Sequence, residues 1–68
     1  MEKIYLPHQQ RVVDEKTELE VKYSALEKFI FTDEVFKSMH EEDKFLMRSQ
    51  LFVMYDYANI LRKRIERF

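Results

Sequence analysis

The sequence predicts an all-α protein: an antiparallel helical hairpin of two long helices with a short helical turn between them, assembling as a homo-oligomeric bundle. Three observations predict it. Met47, Leu51, Met54, Ala58, Leu61, Ile65 and Phe68 recur at strictly alternating spacings of four and three, the rhythm of one continuous helical face. The same stretch carries a second apolar row, Leu46, Val53, Tyr57 and Ile60, with Phe45 and Phe52 at its side, and one partner helix cannot cover both. The chain has 68 residues, no cysteine and two histidines, so neither disulfides nor a His/Cys metal site can support so small a core. Self-association is the support that remains.

In chain order, residues 1–7 form a single domain's lead, in which Ile4, Tyr5 and Leu6 are too apolar for a bare tail and suit packing on a neighbouring subunit. Pro7 marks the entry to the first helix, because a first turn has no use for the missing N–H. That helix covers 8–31. Val12, Leu19, Tyr23, Leu26 and Ile30 keep the four/three rhythm, interrupted once at Glu15 and Lys16, while Glu18 and Lys22 sit four apart on a solvated face. Thr32 is the expected N-cap of a helical turn over 33–38, with Asp33 and Glu34 complementing its dipole and Val35 and Phe36 folding back onto the hairpin end. Ser38 stands three residues before Glu41, the capping-box spacing, ahead of the long second helix over 40–68.

Antiparallel pairing sets Val12 against Ile65, Leu19 against Ala58, Tyr23 against Met54, Leu26 against Leu51 and Ile30 against Met47. Every pair sums to one index, as an antiparallel zipper requires. The same register opposes Glu15 to Arg62, an ion pair that would account for the break in the first stripe.

Composition excludes several functions. There is no glycine, so neither the P-loop nor the dinucleotide fingerprint can be written. A formal net charge of −1 argues against a general nucleic-acid binder. No apolar run approaches the ~18 residues needed to span a membrane. The N-terminal MEKIYLPHQQ lacks the apolar centre of a signal peptide, and a cytoplasmic location is expected. No cofactor is expected. The acidic run Glu41, Glu42, Asp43 reads as dipole complementation rather than a metal site, since adjacent helical carboxylates point in different directions.

The hairpin brings His8, Gln9, Gln10 and Arg11 beside Arg64, Arg67 and Phe68, with Tyr5 nearby. That end is the most chemically furnished place on the chain, and its natural ligand is an anion. Arg62, Arg64 and Arg67 could grip phosphate and Tyr5, Tyr55 and Tyr57 could stack on a nucleobase, but two plainer readings stand beside these: basic residues in a last turn answer the helix dipole, and tyrosines at helical spacing, Tyr57 among them, pack interfaces. His8 and His40 have no Ser or Cys nucleophile near them in the hairpin, so no enzyme is expected. Leu46, Gln50, Val53, Tyr57 and Ile60 are the candidate oligomer interface, where the Gln50 amide would fix register.

The pattern Pro7-His8-Gln9-Gln10-Arg11-Val12-Val13-Asp14-Glu15, followed by Leu19, Leu26, Phe29-Ile30, Phe36, Gln50, Met54, Tyr57, Leu61 and Arg64-Ile65, resembles a family of very small tailed-phage proteins related to an accessory protein of crAss-like phages. The resemblance runs from Pro7 to Phe68, and PHQQRV is its most distinctive part. It implies a phage-encoded protein of the infected bacterial cytoplasm, with no catalytic motif to transfer. Small helical phage proteins include oligomeric sponges for cyclic or ADP-ribose-type nucleotide signals of bacterial immunity.

By that analogy the expected function is counter-defence, sequestering such a signal between subunits. Arg11, Arg64 and Arg67 would hold phosphate, His8 and Gln9 would read ligand edges, and Tyr5 or Tyr57 would stack on a base. The alternative is an interaction module that docks its second apolar row on a host protein and inhibits or redirects it. A nucleic-acid accessory role at the basic end is the third and weakest reading.

Overall fold

A computed structural model describes residues 4–68. It consists of α1 (Pro7–Thr32), α2 (Glu34–Ser38) and α3 (Glu41–Glu66), with α1 and α3 packed against each other. Leucines and paired charges favour helix along both long elements, and the single proline stands at the first position of α1, where its fixed φ suits entry. Gln9 accepts the backbone N–H of Leu6 at 2.9 Å, returning one otherwise unpaired donor to a partner.

The two helices run antiparallel. Val12, Leu19, Ala58 and Leu61 form one buried cluster, joined by Tyr23, Met54, Ile65 and Phe68. Ile30, Phe36 and Leu51 form the other, joined by Tyr23, Leu26, Phe29, Met39, Met47 and Tyr55. The members of all five expected pairs share a cluster, so the zipper register holds. Phe36 of α2 is 3% exposed and closes the hairpin end, edge-on to Phe29 at 6.0 Å with Arg48 over its ring at 5.2 Å. Val35 does not fold back with it and stays exposed.

Three local expectations are corrected. Thr32 ends α1, and Asp33 caps α2 by accepting the Val35 N–H at 2.8 Å. Ser38 belongs to α2, its hydroxyl donating to the Val35 carbonyl at 2.9 Å, so the first extended residue before α3 is His40, whose Nδ1 accepts the Glu42 N–H at 3.1 Å. An N-cap must have non-helical backbone, and Ser38 does not. The Glu15–Arg62 pair does not form; Arg62 donates to Asn59 at 2.7 Å and pairs with Glu66. Glu15 and Lys16 lie on opposite sides of the core line of α1 at 100° per residue, and Lys16 is the one on the Arg62 side.

The hairpin is a rod of 48 × 17 × 16 Å with a radius of gyration of 15.4 Å, against about 11 Å for a globular chain of this length. A rod has much surface for its volume. Accordingly Phe45, Leu46, Phe52, Val53 and Ile60 all remain more than half exposed on α3.

Candidate ligand groove between the helices

Along one side of the α1/α3 seam the side chains flanking the core leave a groove. It consists of two clefts that share Lys16 and Arg62. The first, about 250 Å³, is lined by Tyr5, Val13, Lys16, Thr17, Arg62, Ile65 and Glu66. The second, about 240 Å³, is lined by Lys16, Glu20, Tyr23, Tyr55, Ala58, Asn59 and Arg62. Small Ala58, in the same core cluster as Leu19, lines the second cleft.

Both cations of the groove are held by neighbours on their own helices. Lys16 pairs with Glu20 at 3.2 Å, and Arg62 lies between Asn59 and Glu66. These are one-turn contacts, partly buried at Lys16 and exposed at Arg62, of small net worth, so an anion with more than one oxygen can displace the carboxylates.

Aromatic rings close both ends. Tyr23 and Tyr55 meet edge to face at 5.1 Å, and Tyr5 meets Phe68 at 6.1 Å in the same geometry. The Tyr55 hydroxyl donates to the Glu27 carboxylate. That hydrogen bond, followed by desolvation and by the charge of Glu27, pushes the Tyr55 pKa up to about 12. Ionising the phenol would set two anions together and forfeit the bond.

A family model described as Sequestin matches residues 6–67. The chain belongs to the Sequestin family. The matched segment takes in all three helices and the PHQQRV opening. Comparison with curated proteins and with solved structures returned no match.

Of the ligand residues expected from the sequence, Tyr5 lines the groove. Gln9 is turned to the Leu6 backbone. His8, Arg11, Arg64 and Arg67 are exposed at the same end of the rod but line neither cleft. Tyr57 and Arg64 lie far around α3 from Arg62, at two residues to one side of the helix and five to the other. Exposed Leu46, Gln50, Val53, Tyr57 and Ile60 share one side of α3, away from the groove. Ile4 and Leu6 are exposed, and the remainder of the lead, Met1 to Lys3, lies outside the described residues.

Lys16, Thr17, Tyr23 and Asn59 are groove residues that sequence reasoning did not assign to a site, whereas Arg62 and Tyr55, weighed from the sequence as a phosphate grip and a stacking ring, line it. A signal was available. The register that opposes position 15 to Arg62 also brings position 16 beside it, and places Tyr23 and Tyr55 on neighbouring turns. Among the described residues, no helix is long and apolar enough to cross a membrane.

Proposed function

We propose that this chain acts by binding rather than catalysis, as a phage counter-defence protein that sequesters a nucleotide-derived bacterial immune signal of cyclic or ADP-ribose type within a homo-oligomer. The name Sequestin denotes a sequestering protein. The observation that carries the chemistry is the groove: two cations, Lys16 and Arg62, are common to two clefts that have tyrosines at their far ends. A diphosphate or phosphodiester bridge fits the middle, where a guanidinium offers paired donors and an ammonium a point charge. The bases or ribose rings it joins fit the ends, where Tyr5 on one side and Tyr23 with Tyr55 on the other offer ring surfaces and hydroxyls. Asn59 and Thr17 supply neutral donors and acceptors for ring edges and ribose hydroxyls.

Calorimetric titration with ADP-ribose and with a cyclic dinucleotide tests this reading. Arg62→Ala is expected to weaken binding by about 10- to 100-fold, the worth of a hydrogen-bonded charge, whereas Arg64→Ala with Arg67→Ala leaves it within about 3-fold because those side chains face away. The reverse pattern would move the site to the hairpin end. Absence of binding for both probes, at concentrations where a sponge must work, would remove the nucleotide reading.

A second reading is favoured by the bare row on α3. Phe45 and Phe52 are 66% and 67% exposed and Val53 65%, a surface that a host protein could occupy.

A further inference from the structure

We propose that the exposed face of α3 is a two-fold homodimer interface in which α3 packs antiparallel on α3 of a second copy, with Val53 on the symmetry axis. The proposal rests on the reading that copies of this chain associate and is independent of the ligand groove.

The face is Glu42, Leu46, Ser49, Val53, Tyr57, Ile60 and Arg64. Their spacings are four, three, four, then four, three, four, so the face reads the same from either end about Val53. At 100° per residue all seven fall within about 40° of one line along the helix. An isologous interface needs such self-complementarity.

The chemistry matches under the same operation. Antiparallel pairing about Val53 opposes Glu42 to Arg64 of the second copy, Leu46 to Ile60, small Ser49 to large Tyr57, and Val53 to its own copy. An acid meets a base, and apolar meets apolar. A parallel pairing, by contrast, would set Glu42 on Glu42 and Arg64 on Arg64.

The intrachain ion pairs leave the two charges of this face open. Off this face, Glu41 pairs with Lys44 and Arg62 with Glu66. On it, Glu42 and Arg64 make no intrachain ion pair among the described residues. The two-fold supplies each of these two with an oppositely charged partner.

The area is sufficient. Phe45, Leu46, Phe52, Val53, Tyr57 and Ile60 are between 40% and 67% exposed; taking roughly 150–200 Å² for each whole side chain, they expose on the order of 600 Å² per copy. Two copies bring about 1,200 Å², the lower edge of stable specific interfaces. From Glu42 to Arg64 the seam runs about 33 Å, most of the length of the rod. Phe45 and Phe52 flank the row on one side, and the two-fold sets both copies' phenyl pairs on that same side of the seam.

Sedimentation equilibrium on the full chain tests the proposal, with far-ultraviolet circular dichroism to check that each variant stays helical. Wild type is expected to be a dimer. Val53→Arg, which sets two guanidiniums on the axis, raises the dissociation constant at least about 100-fold. Glu42→Arg alone and Arg64→Glu alone each raise it about 10-fold, since each makes two like-charge contacts by symmetry. The double variant Glu42→Arg, Arg64→Glu returns it to within about 3-fold of wild type. The chain has no cysteine, so Val53→Cys adds a background-free check: it oxidises to a cross-linked dimer. A monomeric wild type would overturn the proposal and give the face to a host protein. A double variant as weak as the singles, or an assembly indifferent to Val53→Arg, would overturn the register. Nucleotide binding is measured separately on the same variants, so loss of the groove reading leaves this result standing, and the converse.

Discussion

Leu61 and Ile60 are neighbours in sequence and isomers in chemistry, yet truncating them should have very different consequences. Leu61 is 1% exposed in the cluster with Val12, Leu19 and Ala58, while Ile60 is 56% exposed on the far row. Leu61→Ala removes three buried carbons and leaves a cavity that a two-helix packing cannot close, a loss of about 3–5 kcal/mol. Whole-chain stability for a protein of this length is roughly 3–10 kcal/mol, so the variant is expected to be largely or marginally unfolded. Ile60→Ala loses the same three carbons from a side chain less than half withdrawn from water, about 1 kcal/mol of transfer energy, and regains a few tenths from helix propensity. Urea unfolding followed by far-ultraviolet circular dichroism, at a dilution where the chain is monomeric, reads the difference. With a slope near 1 kcal/mol per molar urea the Leu61→Ala midpoint falls by about 3 M or more, and the Ile60→Ala midpoint by less than about 1 M. Equal losses, or a greater loss at Ile60, would refute the assignment of core and outer faces on α3. Raising the protein concentration should widen the Ile60→Ala deficit and leave that of Leu61→Ala nearly unchanged, because only the former would lie in an intersubunit seam.

Two further predictions concern single contacts. The Tyr55 pKa, raised to about 12 from 10 by the Glu27 hydrogen bond, stabilises the fold fully below pH 10, and that contribution is lost as pH rises through about 12. The gap in thermal midpoint between wild type and Tyr55→Phe should therefore be constant below pH 10 and shrink above it, and the tyrosinate absorbance step near pH 12 should be missing from the variant. His40→Ala removes the acceptor for the Glu42 N–H and is expected to cost about 1 kcal/mol in thermal unfolding, with His40→Asn restoring most of it as a competent N-cap; a neutral His40→Ala would show that the α3 start is held by Phe36 and Met39 packing instead.

The hairpin and its register were legible in the sequence because both rest on one quantity, the helical period, that repeats along each long helix. Six consecutive apolar spacings in the second helix leave no alternative strand reading, and the common index of Val12/Ile65 through Ile30/Met47 follows once the helices are antiparallel. The caps were less legible. Thr32 and Ser38 have the right side chains, but whether a residue caps a helix depends on where the preceding helix ends, and α1 and α2 each run through the residue expected to stand outside them. The groove was least legible. Lys16 and Asn59 lie on the shoulders between core and surface, where neither the apolar stripe nor the charge pattern marks them, Tyr23 reads as a member of the stripe, and Arg62 and Tyr55 stand out only as residue types that the linear pattern does not join.

What this sequence determines by itself is therefore periodic: the two helices, their antiparallel order, their buried line, and a second face on α3 that the chain alone does not cover. Each is a matter of side-chain spacing within one continuous helix, which the backbone's 3.6-residue turn converts directly into direction. What the tertiary structure decided is the pairing of shoulders. Arg62 had a ready partner in Glu15 by index and found Asn59 and Glu66 instead, and Tyr55 reached across the seam to Glu27. Those choices depend on rotation of one helix about its axis against the other, a few tens of degrees that the apolar rhythm tolerates without cost and that only packing of Ala58, Leu19 and Leu61 settles.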